Sequence, residues 1–274
     1  MSKEVQTTSI ASVVPNWAFV LETASTLAGA GRILDYGCGQ AAVVTAGLEH
    51  GLDIYGADVF YGGGHGHREE VTRRGLLEKR VFEIKEGRTP FEDRSFDFVM
   101  HNQVFEHVPD LDETLKEIRR ILKPDGTMLS LFPSSDVIRE GHCGIPLAHW
   151  FRRGSRLRYL WLLGARRLGM GMFHGDKTPE QWARDFARWL EDWCYYRSRR
   201  EIIEAYRRWG FSFDSYETAF AAFRLRHAGW AWAAPLAIGL GPMTRWAIRK
   251  LGGMIVLSRV YDLPIADLTA SAST

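Results

Sequence analysis

Short apolar runs alternate with helix-like segments through the first half of the chain. Arg32 to Tyr36 is an apolar run that ends in Gly37-Cys38-Gly39, and Ala41 to Leu48 then has helix-forming composition. Asp53 to Ala57 is the next strand pattern, closed by Asp58, and Val81 to Ile84 is a third. Phe96 to Met100 is a fourth, apolar enough to be buried on both faces. Leu111, Leu115, Ile118, Ile121 and Leu122 recur at the spacing of an amphipathic helix over Asp110 to Leu122. Lys123-Pro124-Asp125-Gly126 stops that helix, and Thr127 to Phe132 predicts a fifth strand. Such alternation predicts an α/β fold with a doubly wound, mostly parallel sheet.

From Ser134 the pattern becomes helical. Thr178-Pro179-Glu180-Gln181 is a capping box with proline at the first helical position, and Trp182, Phe186, Trp189, Leu190 and Trp193 then share one face. That stripe reads first as core packing. Ser198 with Glu201 is a second capping box, opening a helix that ends at Gly210. Phe211 to Phe220 and Gly253 to Val260 read as two late strands. Residues 1–135 thus form a sheet core, 136–197 a helical insertion, and 198–274 the end of the core with a second insertion at 221–252.

Composition changes this picture in one respect. The 274 residues carry a net charge of +2 and 46% apolar residues, which excludes wholesale disorder and mini-protein scaffolds. The balance hides a split: residues 1–135 hold 14 Lys and Arg against 20 Asp and Glu, whereas 136–274 hold 21 against 13 and nine of the ten tryptophans. Cys38, Cys143 and Cys194 are too few and scattered for a disulfide framework or zinc site, and no secretory signal is apparent, so a cytoplasmic protein is expected. Ala228 to Met243 is too short, and too broken by Pro235, Gly239 and Gly241, for a transmembrane helix.

Gly37-Cys38-Gly39-Gln40-Ala41-Ala42 fits the G-x-G-x-x-A turn that lets a ligand approach the backbone, with Asp58 placed to take ribose hydroxyls. Asp35 separates two ligands. A carboxylate there would repel the pyrophosphate of NAD but suits the cationic amino group and sulfonium of S-adenosylmethionine. Ile33-Leu34-Asp35-Tyr36-Gly37-Cys38-Gly39 resembles the first motif of class I S-adenosylmethionine-dependent methyltransferases. Tyr55-Gly56-Ala57-Asp58, the stretch from Pro90 to Val99 with Asn102 to Val108, and Leu122 to Thr127 are similar to that family's later motifs, in order. The resemblance implies a Rossmann-like fold and S-adenosyl-L-methionine held by Asp35, Gly37, Cys38, Gly39, Asp58, Val59, Asn102 and Gln103. Lys85-Glu86-Gly87-Arg88-Thr89 lacks the usual aspartate, which leaves Glu86 or the backbone of Gly87 and Arg88 for the adenine.

Insertions after strands five and six would stand at the carboxyl ends of the strands as a lid. Three readings of its arginines (Arg152, Arg153, Arg156, Arg158, Arg166, Arg167) stay open: a solvated face, recognition of an anionic acceptor, or, with Leu160, Trp161, Leu162 and Leu163, peripheral contact with an anionic membrane. No nucleic-acid module accompanies the charge. His107, His142 and His149 are the candidate bases, and each also has a structural hydrogen-bonding reading. Cys143 is a weaker nucleophile candidate. His65 and His67 read as solvated, and no metal site is expected. The expected activity is methylation of a small, partly apolar acceptor, with O-methylation first and N-, S- and C-methylation open. Its rivals are an NAD-dependent oxidoreductase and a non-catalytic S-adenosylmethionine-binding or membrane-peripheral protein.

Overall fold

A computed structural model describes residues 14–61 and 66–261. Five parallel strands, β1 (Ile33–Tyr36), β2 (Ile54–Asp58), β3 (Val81–Glu83), β4 (Phe96–Asn102) and β5 (Leu122–Phe132), are joined by β6 (Asp214–Ser215) and β7 (Met254–Arg259). The sheet order is β3-β2-β1-β4-β5-β7-β6, with β7 antiparallel to both of its neighbours. This is a Rossmann-like sheet. The strand order reverses between β1 and β4, so the carboxyl ends of these two strands frame a crevice.

Alternate strand residues face two cores. Ile33, Phe98 and Met100 pack with α1 (Pro15–Ala28), α2 (Ala42–Glu49) and α3 (His67–Arg73). Leu34 and Val99 pack with α4 (Leu111–Ile121) and α7 (Arg199–Arg208) on the other face. A register shift between Phe96 and Phe98 turns Phe96 to the α4 side, against the simple alternation. In α4 the expected stripe is buried, and Asp110 caps the helix by accepting the Glu113 N–H at 3.0 Å.

Both capping boxes form. Thr178 and Gln181 open α6 (Pro179–Trp193), and Ser198 and Glu201 open α7. With α5 (Arg156–Arg167), α6 makes a third core around Trp182, Cys143, Ile145 and Leu162, which stands between β5 and α7.

The late-strand expectation for Phe211 to Phe220 is corrected. The run follows β7 as far as Tyr216, with Asp214–Ser215 in register, Phe211 bridging Val260, and the Ser212 and Tyr216 N–H groups donating to the Arg259 and Ile255 carbonyls, and from Glu217 the chain is helical as α8 (Glu217–His227). Phe220 and Phe223 are spaced for a helix face and pack on Phe19 of α1, whereas the Phe211 and Phe213 rings pack around Tyr206. One aromatic run therefore serves two elements. β6 still points the same way as the parallel strands, since both it and β5 are antiparallel to β7.

The second insertion also differs from expectation. Its α8 covers a sheet face, and α9 (Ala234–Gly239) and α10 (Gly241–Leu251) pack on α8 without lining the crevice. None of the described helices is long and apolar enough to cross a membrane.

Candidate active site

The turn after β1 is built for close approach. Gly37 has φ +78°, and a Cβ there would lie 2.5 Å from the side chain of Val104. The Gly37 N–H donates to the Ala57 carbonyl at 2.7 Å, which locks the turn onto β2. Asp58 at the end of β2 completes the clamp. Its two oxygens accept the Gly39 N–H at 2.8 Å and the Phe60 N–H at 2.7 Å. Carboxylate oxygens have further lone pairs, so Asp58 can still accept from a ligand.

Above this turn lies a cleft of about 530 Å³. Six of the ten residues expected at the cofactor line it: Gly37, Gly39, Asp58, Val59, Gly87 and Gln103. The other four do not. Asp35 lies beneath the turn, 4% exposed, and burial together with the charge of Asp58 pushes its carboxyl up to about 7. Cys38 is buried, its thiol wedged against Gly56. Arg88 turns into a neighbouring hollow with Lys116 and Arg120. Asn102 ends β4, its Oδ1 buried without a hydrogen-bond partner among the described residues.

The remaining walls were not anticipated. Tyr36, Ile84, Glu113 and Thr114 close one side, while Asp192, Trp193 and Tyr195 descend from the end of α6 as a roof. The Trp182–Trp193 stripe thus divides: Trp182 is fully buried in the α5–α6 core, but Trp193 faces the cleft. His67 also lines the cleft, whereas His65 lies outside the described residues.

Two of the three candidate histidines meet. His107 follows β4 in the turn Phe105–His107 and lines the cleft, and its Nδ1 donates to the Trp193 carbonyl at 2.7 Å. Its Nε2 lies 3.2 Å from Nε2 of His142. Burial pushes His107 down to about 4. His142 Nδ1 donates to Glu140 Oε1 at 2.6 Å. Burial disfavours the charge on His142, but the Glu140 hydrogen bond and charge outweigh it and raise the imidazole. Glu140 is itself buried, yet the His142 contact, the Cys143 N–H and the Tyr196 hydroxyl hold it down to about 2. Beside this pair, burial pushes Glu106 up to about 8.

His149 stands apart. Its Nε2 faces the Ser135 carbonyl at 3.3 Å, and it lines a different cleft with Arg152, Arg153, Arg158 and Arg197. The lid arginines do not act as one group: Arg158 is buried and pairs with Glu191 at 3.4 Å, while Arg167 pairs with Glu180 at 2.6 Å on the surface. Leu162 and Leu163 are buried, so they do not extend an exposed surface with Trp161. Burial and the charge of Glu140 raise the Cys143 thiol, which disfavours its thiolate.

Residues 34–130 match the family described as "Methyltransferase domain". A sterol 4-C-methyltransferase, strm-1 of Caenorhabditis elegans, is 25% identical over 131 residues, 42% of this chain and 39% of that protein. Methyltransferase GfsG of Streptomyces halstedii is 28% identical over 127 residues, 43% and 46% of the two chains. The chain therefore spans less than half the length of these curated relatives. An S-adenosylmethionine-dependent methyltransferase from Mesorhizobium loti shares the fold, with a TM-score of 0.50 and 14% identity over 91% of this chain and 99% of that one.

Proposed function

We propose that this chain, which carries a class I S-adenosylmethionine-dependent methyltransferase domain, moves a methyl group onto a small, partly apolar acceptor, with oxygen favoured as the acceptor atom. One observation carries the reading: the cleft joins the Gly37–Asp58 cradle at one end to His107 and an aromatic roof at the other.

The cradle fits S-adenosylmethionine. A Cβ at Gly37 would close it, Asp58 is held with lone pairs free for ribose hydroxyls, and Asp35 suits a cation from below. The bound cofactor supplies a methyl group on a sulfonium. Gly37, Gly39 and Gln103 would shape its seat, and Gly87 with Ile84 would flank the adenine. Trp193 and Tyr61, ring centroids 5.1 Å apart, would exclude water and align the acceptor in line with the methyl carbon. The acceptor gives a lone pair to the methyl carbon, the carbon–sulfur pair stays on sulfur, and the acceptor proton leaves toward His107 and His142.

Oxygen is favoured because imidazoles and a carboxylate stand at that end. Carbon is the second reading, favoured by the aromatic roof and by the likeness to a sterol 4-C-methyltransferase. Transfer of labelled methyl to a panel of phenols, carboxylates, amines, thiols and isoprenoid or sterol carbons decides between them. Label confined to amines or thiols would overturn both.

We further propose that residues 230–246 rest on an anionic membrane surface. Trp232 is 76% and Met243 68% exposed, with Trp230, Ile238 and Trp246 also exposed along the turn Ala231–Ala233 and the two short helices that follow it. Residues 230–246 hold one basic residue, Arg245, and no Asp or Glu. A tryptophan-rich apolar surface with one cation and no acidic residue suits the headgroup boundary of an anionic membrane and would bring the enzyme to an apolar acceptor.

A further inference from the structure

Beside the cleft, three donors converge around His107, which lines it. The Nδ1 atoms of both histidines are committed, His107 to the Trp193 carbonyl at 2.7 Å and His142 to Glu140 at 2.6 Å. Each Nδ1 therefore carries the proton, and each Nε2 presents a lone pair. These two lone pairs face each other at 3.2 Å. Glu106 is 1% exposed, and neither of its oxygens has a hydrogen-bond partner among the described residues. A carboxylate oxygen and the two imidazole nitrogens lie within 4.8 Å of one another.

A buried carboxylate without partners, beside two opposed lone pairs, is an unsatisfied arrangement. One proton shared between the imidazoles would relieve the nitrogens and leave Glu106 as it is. A divalent cation relieves all three. Two nitrogens each bound at about 2.0–2.1 Å to a tetrahedral ion lie about 3.3 Å apart, close to the separation found.

We propose that Glu106, His107 and His142 bind one divalent transition-metal ion at the acceptor end of the cleft. Two nitrogens and one oxygen favour Zn²⁺, Mn²⁺ or Fe²⁺ over Mg²⁺ or Ca²⁺, which prefer all-oxygen sites. Glu140 orients the His142 ring from behind, as carboxylates commonly do for metal-bound histidine, and is itself fixed by Cys143 N–H and Tyr196. A second trio, Glu140 with His142 and Cys194, is also compact, but the Glu140 oxygens already accept three hydrogen bonds. Tyr61 and Trp189 pack on the imidazoles, with centroids 5.8 Å from His107 and 4.8 Å from His142 respectively, and hold the rings in place.

Three protein ligands leave at least one position open. His107 lines the cleft, so that position faces the space in which a methyl acceptor would lie. An acceptor bearing a hydroxyl or carboxylate would bind there as its oxygen anion, its proton passing to water, because with both Nε2 atoms on the metal the imidazoles no longer serve as the base. This last step rests on the proposed methyl transfer, whereas the metal site does not.

The test uses the full chain without a histidine tag, stripped with chelator and titrated with Co²⁺, Zn²⁺, Mn²⁺ and Mg²⁺. The expected result is one Co²⁺ per chain with visible d–d absorption and displacement by Zn²⁺. Affinity should fall at least tenfold in Glu106→Gln and His142→Ala, and about 10- to 100-fold in Glu140→Gln. Circular dichroism and S-adenosylhomocysteine binding verify the fold of each variant. Absence of stoichiometric uptake, or uptake unchanged in Glu106→Gln and His142→Ala, would overturn the site. Binding of S-adenosylhomocysteine by the stripped protein would show that the methyltransferase reading survives that failure.

Discussion

Asp58 Oδ2 accepts the Gly39 N–H at 2.8 Å, so the carboxylate at the end of β2 sets the shape of the turn after β1. The same side chain holds the next loop through Phe60. Hydrogen bonds to a charged group contribute about 1.5–3 kcal/mol each. Asp58→Ala should therefore weaken S-adenosylhomocysteine binding by at least about tenfold, before any lost ribose contact is counted. Calorimetry showing affinity within twofold of the parent would contradict this role.

Gly37 tests the cradle from its other side. Its φ of +78° and the 2.5 Å approach to Val104 both oppose a side chain. Gly37→Ala should destabilise the protein by about 1–3 kcal/mol and abolish measurable cofactor binding. Adding Val104→Ala should restore part of the stability, because the collision goes while the backbone strain stays. Equal melting temperatures for the single and double variants would show that the Val104 contact is not the cause.

Asp35 makes binding depend on pH. Its carboxyl titrates near 7 in the free protein because burial and Asp58 disfavour the charge. A cationic ligand favours the ionised form, so affinity should be level above about pH 8 and fall toward tenfold per unit below 7, with proton uptake by the free protein. Asp35→Asn should bind weakly at every pH. The folded value also lies above the unfolded 3.8. The stability this group contributes is thus complete below pH 3.8 and lost as pH rises through 7, and Asp35→Asn should melt higher than the parent at pH 8. A flat affinity profile from pH 6 to 8.5 would remove Asp35 from cofactor recognition.

These residues also show what a linear reading reaches. The glycine turn, the Asp58 partner and both capping boxes depend on close spacing or on a familiar strand–turn–helix unit, and they are legible in sequence. The pairing of His107 with His142 crosses 35 positions and depends on how the lid returns over β4. Trp193 has the helical spacing of a core residue, and only the direction in which α6 ends exposes it to the cleft. Phe211 to Phe220 misleads for a related reason: aromatic residues suit a strand and a helix face equally until their packing partners, Tyr206 and Phe19, are known.

The exposed tryptophan-rich face of residues 230–246 lies away from the cleft. The full chain should co-sediment with phosphatidylserine-rich vesicles and less with neutral ones, and high salt should weaken the association. Replacing Trp230, Trp232 and Trp246 together with alanine should abolish it while leaving S-adenosylhomocysteine binding intact. Equal sedimentation of parent and triple variant would refute contact through this face.

Calorimetric titration of the full chain with S-adenosylhomocysteine and with NAD asks whether the Gly37–Asp58 cleft holds S-adenosylmethionine. The predicted result is one S-adenosylhomocysteine per chain and no heat from NAD. Stoichiometric NAD binding with no response to S-adenosylhomocysteine would contradict it.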